Sequence, residues 1–180
     1  MMWNGAFTGM TKSELKVVCD SGPIIHLDEL DCLRLLEEFQ QVLIPDAVHK
    51  EIERHRPLSL SKLGINFILS PGDVPKDPHL FTLCHLFALD ADEIEALSLM
   101  ERNSQALFLT DDASARMVAE QMGFKVHGTI GIIIRSIRRG QTEVEEVLDI
   151  LQKIPSKSTL YMKSSLLDEI IQKIRQEFNL

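Results

Sequence analysis

Two short apolar runs in this chain end in aspartate and then turn into a helix start. Val17-Val-Cys19 leads to Asp20 and Ser21-Gly-Pro23, and Ala106-Leu-Phe-Leu-Thr110 leads to Asp111-Asp112. Serine supplies an N-cap hydroxyl, glycine a permissive backbone and proline a residue suited to the first helical turn. Each stretch therefore reads as strand, acidic tip, helix. Carboxylates at the C-terminal ends of parallel strands sit where open α/β sheets gather their ligands.

Two further acids interrupt apolar helix faces. In the helix expected over Asp46–Arg56, Glu51 projects roughly 60° from Val48, on the side of Ala47, whereas Glu53 lies roughly 140° away among solvated positions. In Ala91–Asn103, Glu93 projects roughly 20° from Met100, inside the stripe of Ile94, Leu97 and Met100. Asp92 and Glu95 fall outside that stripe, and Glu101, although inside it, lies roughly 12 Å further along the axis. A charge on a core-facing side is costly unless paired or coordinated.

Each acid also has a plainer role. Glu51 can be a rim residue, Asp90-Ala-Asp-Glu93 has the spacing of a capping box, and one or both of Asp111 and Asp112 can cap the helix that follows. Capping does not require two strand tips and two helices to turn acids toward one edge, where they would repel one another. Divalent cations are the usual remedy, and hard oxygen donors point to Mg²⁺ or Mn²⁺.

The elements that must position these acids alternate. Strands are expected at 16–19, 41–44, 67–69, 106–110 and 125–127. Helices are expected within 23–39, broken near Asp31, and at 46–56, 79–87, 91–103, 113–122 and 129–139. That order predicts an α/β fold of three layers, a central parallel sheet flanked by helices. After Gly140 only helices follow, Glu143–Lys153 and Ser164–Glu177, read as a C-terminal helical hairpin. Residues 14–140 form the α/β domain and 141–180 a helical extension packed on it. Met1–Ser13 carries no periodicity, with Trp3 and Phe7 expected to pack back on the body.

The 180 residues suit one domain, and no uncharged apolar run is long enough to span a membrane, so a soluble, cytoplasmic protein is expected. Three widely spaced cysteines fit neither a disulfide framework nor a zinc site. His26, His49, His55 and His127 lack metal-ligand spacing. A net charge of −8 disfavours polyanions on average, so a nucleic-acid substrate needs bound cations or a local basic surface. Lys50, Arg54, His55 and Arg56, and Arg135, Arg138 and Arg139, are candidates for that surface, or complement helix ends.

Five stretches together resemble the PIN-domain nucleases, in particular stand-alone PIN-like proteins akin to VapC-type toxins. They are Val17–Leu27, Val42–Glu51, Ala91–Ala96, Leu109–Arg116 and Val126–Gly131. The resemblance implies a three-layer PIN-like fold and a Mg²⁺- or Mn²⁺-dependent ribonuclease. It also implies catalytic and metal-binding roles for Asp20, Glu51, Glu93 and Asp111, with Asp112 a further metal ligand. Ser21, Thr110 and Arg116 would orient a phosphate or water. RNA, a cognate antitoxin protein and a second copy in a homodimer are the partners it suggests. Asp92 departs from the pattern, standing where this subgroup often has glycine, and Gly22 is a milder difference. The competing class is a PIN-like binding module with little catalysis. A phosphatase is disfavoured because residue 22 is glycine rather than a second aspartate.

Overall fold

Short runs of valine, leucine and isoleucine become strands: β1 Lys16–Cys19, β2 Gln41–Pro45, β3 Phe67–Ser70, β4 Leu107–Leu109 and β5 Lys125–His127. The structure is a computed structural model describing residues 16–62 and 64–180, so the expected packing of Trp3 and Phe7 lies outside the described residues. All strands pair in parallel, in the order β3-β2-β1-β4-β5. Val17, Val18 and Cys19 are all fully buried, as expected where helices cover both faces.

Eight α-helices among the described residues complete the layers: α1 Ser21–Glu29, α2 Asp46–His55, α3 Pro78–Leu86, α4 Ala91–Arg102, α5 Ala113–Gln121, α6 Thr129–Arg138, α7 Val144–Lys157 and α8 Ser164–Phe178. One face of the sheet, through Val17, Cys19, Val42, Ile44, Leu107 and Leu109, packs on α1, α2, α6, α7 and α8. The other, through Val18, Leu43 and Phe108, packs on α3, α4 and α5. Val147, Leu151, Ile154, Leu167, Ile171 and Ile174 of the last two helices lie in the first of these cores. Among the described residues no helix is long and apolar enough to cross a membrane.

The first helical stretch is interrupted as expected. Asp31 takes φ 57°, and a 3₁₀ turn at Leu33–Glu38 follows α1. The end of α7 differs from expectation, because the helix continues past Lys153 to Lys157 with Pro155 inside it. Proline removes one N–H and crowds the carbonyl four residues back, yet buried Ile154 anchors this last turn and the Ser158 N–H bonds to its carbonyl at 3.0 Å.

Helix α2 carries Glu51 and starts at Pro45, which has no side chain able to cap. The cap comes from another helix: Glu95 on α4 accepts from the Ala47 N–H at 2.8 Å. Gly72 packs so closely on the Glu95 carboxylate that a Cβ there would overlap it. Glu101, further along α4, accepts from the Lys76 and Asp77 N–H groups at 2.9 and 2.8 Å and holds the 71–77 connection against the helix. Replacing Glu95 by alanine is expected to cost about 1 kcal/mol, the usual loss for a removed cap. Chemical denaturation checks it, and a midpoint equal to wild type would refute the capping role.

Candidate metal centre

The chain leaves β1 toward β2 and β3 on one side and returns at β4 and β5 on the other. β1 and β4 are therefore neighbours whose following helices diverge, which opens a crevice at their C-terminal ends. Asp20 and Asp111-Asp112 stand at that crevice. The Asp20 N–H bonds to the Leu109 carbonyl at 2.9 Å, tying the two tips together.

Asp20 is 5% exposed. One carboxylate oxygen accepts from the Ser21 N–H at 2.8 Å and the other from the Thr110 hydroxyl at 2.9 Å. Burial pushes its pKa up to about 7; the two hydrogen bonds oppose that rise, and the nearby Asp92 and Glu51 charges add to it. Thr110 is fully buried, and its hydroxyl also accepts from the Asp112 N–H at 3.1 Å. It thereby sets the spacing between the tips.

Glu93 both caps its helix and joins this group. Its carboxylate accepts from the Asp90 N–H at 2.8 Å, completing the capping box. Burial raises its pKa to about 8, against that hydrogen bond and with the charges of Asp112, Asp20 and Asp92 adding. Asp92 is pushed to about 6 by burial and then by a hydrogen bond with the Glu51 carboxyl. Projection onto the sheet-facing stripe missed Asp92, because the first turn of α4 faces α2 rather than the sheet. The acid-rich run Asp90-Ala-Asp-Glu93 was the available signal.

The two adjacent aspartates separate. Asp111 accepts from the Thr129 N–H at 2.8 Å, from the Thr129 hydroxyl at 2.5 Å and from His26 Nδ1 at 2.8 Å. Facing a carboxylate, Nδ1 is the donor. Asp111 thus fastens the β4 tip to the start of α6 and to α1, where Gly128 is required: a Cβ there would lie 2.6 Å from its carboxylate. Asp112 caps α5 by accepting from the Ala115 N–H at 2.8 Å, while its charge reaches Glu93. Asp20, Glu51, Asp92, Glu93 and Asp112 are thus one electrostatic group, and Asp111 is drawn to its flank. Arg116 donates to the Thr110 carbonyl at 3.0 Å, beside the tips.

Of the basic clusters named from sequence, four arginines are engaged elsewhere. Arg56 and Lys62 bind buried Asp28, Arg135 and Arg139 bind buried Glu38, and Arg138 pairs with Glu177.

The donor set consists of hard oxygens that repel one another, which fits a hard divalent cation. As the side chains stand, no three His, Cys, Asp or Glu residues among those described are arranged to hold an ion. Closing the set requires side-chain rotation; Glu93 uses one carboxylate oxygen for its bond to Asp90.

The raised pKa values fix a sign for pH dependence. The folded chain holds protons on Asp92, Asp20 and Glu93 that the unfolded chain releases in the ordinary carboxylate range, so folding loses stability as pH rises through 6 to 8. Asp28 and Glu29, held below their ordinary values despite burial by hydrogen bonds from Lys62 and Arg56 and from Thr159 and Ser158, act at lower pH and do not offset this. His127, held low by burial, gains stability with pH only up to the ordinary histidine range, so the melting temperature of cation-free protein should fall between about pH 6.5 and about pH 8.5. Differential scanning calorimetry reads it, and a flat or rising profile would refute the buried-acid assignment.

A family model described as PIN domain matches residues 16–176. No curated protein and no solved structure matches the chain.

Proposed function

Because this chain belongs to the PIN-domain family, whose members are generally nucleases using divalent metals, we propose that it is a Mg²⁺- or Mn²⁺-dependent ribonuclease acting in the cytoplasm. The observation that carries the reading is the gathering of Asp20, Glu51, Asp92, Glu93 and Asp112 at the β1/β4 crevice, with Asp20 buried and raised to about 7. Asp20, Glu51, Glu93 and Asp112 are the residues we assign to hold the cation. Asp111, expected from the resemblance as a ligand, is assigned the role of fastening their surroundings.

A divalent cation bound there would polarise the scissile phosphate and lower the pKa of a water enough for attack near neutral pH. The protein's own part is preorganisation. Ser21, through its N–H, and Thr110, through its hydroxyl, fix both oxygens of Asp20. Thr110 and Gly128 bring Arg116 to the rim, where its guanidinium is the cation placed to meet a backbone phosphate. Ser21 and Thr110 thereby position the acid that serves the substrate rather than act as nucleophiles.

The test is hydrolysis of single-stranded RNA and DNA by purified protein with Mg²⁺ or Mn²⁺. RNA cleavage that chelation stops is expected, and no cleavage of either polymer under any divalent cation would refute the proposal. The role of toxin in a toxin–antitoxin pair is part of the same proposal: induced expression should arrest growth, and expression of Asp20→Asn should not.

A further inference from the structure

An acidic nuclease must still hold a polyanion, and Arg56, Arg135 and Arg139 are turned to buried acids within the protein. From Ile150 to Leu167 the sequence contains Lys153, Lys157 and Lys163 and no carboxylate, although the chain as a whole carries −8. This is the end of α7, the connector 158–163 and the start of α8.

The connector begins and ends in extended backbone, at Ser158 and Lys163, and is two-sided. Leu160 and Met162 pack against the core, which turns Tyr161 outward, 86% exposed, beside exposed Lys163. Successive side chains in extended backbone alternate faces, so residues two apart stand side by side. Tyrosine carries a large apolar ring with a face on which another ring can stack.

The connector is also held in place. Glu29 at the end of α1 accepts from the Ser158 hydroxyl at 2.8 Å, the Thr159 N–H at 2.7 Å and the Thr159 hydroxyl at 3.1 Å. Glu29 in turn feels the charge of His26, which is bonded to Asp111. Helix α6 starts at the Asp111 tip, and α7 packs on it. Lys157 lies 3.9 Å from Asp31, and Lys153 pairs with Asp149 within its own helix. Lys163 forms no ion pair among the described residues, which leaves its ammonium available to phosphate.

We propose that Tyr161 and Lys163 form a single-strand contact for the RNA substrate, with Tyr161 stacking on a base and Lys163 meeting the adjoining phosphate. An aromatic beside a cation on a fixed strand is the arrangement that binds single strands with little base preference. The inference rests on the ribonuclease reading above.

The experiment measures binding of a fluorescein-labelled single-stranded RNA by anisotropy, using full-length Asp20→Asn protein to prevent cleavage. Added Tyr161→Ala should weaken binding between about fivefold and a hundredfold, and Tyr161→Phe should restore it because the ring remains. Lys163→Ala should lower the salt slope by about 0.7. A 5-iodouracil-substituted strand should crosslink to Tyr161. Variants that bind as tightly as the Asp20→Asn parent, with no crosslink at Tyr161, would overturn the contact while leaving the nuclease reading intact. A wild-type protein that neither binds nor cleaves RNA would overturn both.

Discussion

Asp20→Asn should lose RNA cleavage by about a hundredfold or more and, without added cation at alkaline pH, melt at a higher temperature than wild type. The two effects share one cause. The Asp20 carboxyl is buried with its pKa raised to about 7, so the folded state accepts its charge only against desolvation and neighbouring acids. Asparagine keeps an oxygen for the Ser21 N–H or the Thr110 hydroxyl and removes the charge. It also removes the donor most enclosed by the site, so the upward shift in melting temperature expected of wild type with Mn²⁺ should shrink or vanish. Scanning calorimetry with and without Mn²⁺, beside a gel assay of cleavage, checks both halves. An active variant, or one that melts lower than wild type in the cation-free state, would contradict this account of the site.

At the neighbouring tip the sign reverses. Asp111→Ala should destabilise the fold by about 2–4 kcal/mol, lowering the melting temperature by about 5–15 °C. It removes the acceptor for the Thr129 N–H, the Thr129 hydroxyl and His26 Nδ1 at once, and Thr129 is fully buried. The start of α6 would lose its tie to β4. Mn²⁺ affinity, measured by calorimetry below the variant's melting temperature, should change far less than in Asp20→Asn. Full stability in Asp111→Ala, with Mn²⁺ binding abolished, would show that Asp111 is a ligand and not a fastener.

The opposite signs expected at two look-alike tips mark the boundary between what sequence and tertiary structure decide. The parallel sheet was legible because its strands and helices differ in period, and local turn chemistry marks each junction. Ser21-Gly-Pro23 starts α1, and Gly140 ends the α6 region. The inward projection of Glu51 and Glu93 was legible for the same reason, since both depend on angle around one helix axis. The PIN-domain resemblance rested on such local stretches and is matched by the family model over residues 16–176.

Contacts between elements distant in the chain were beyond that reach. No local pattern says that Glu95 caps α2 across a separation of 48 residues, or that Thr110 donates to Asp20 across 90. Asp92 was missed because helix α2 lies against the first turn of α4 and makes a second inward face, which projection onto a single stripe cannot represent. Asp111 and Asp112 are adjacent acids of the same type, and sequence left their roles open. The packing of α1 and α6 gives them different surroundings: it brings His26 and Thr129 to one carboxylate and leaves the other within reach of Glu93. The order of the elements followed from local propensity, whereas the partner of each carboxylate was set only when helices from distant parts of the chain met at the sheet edge.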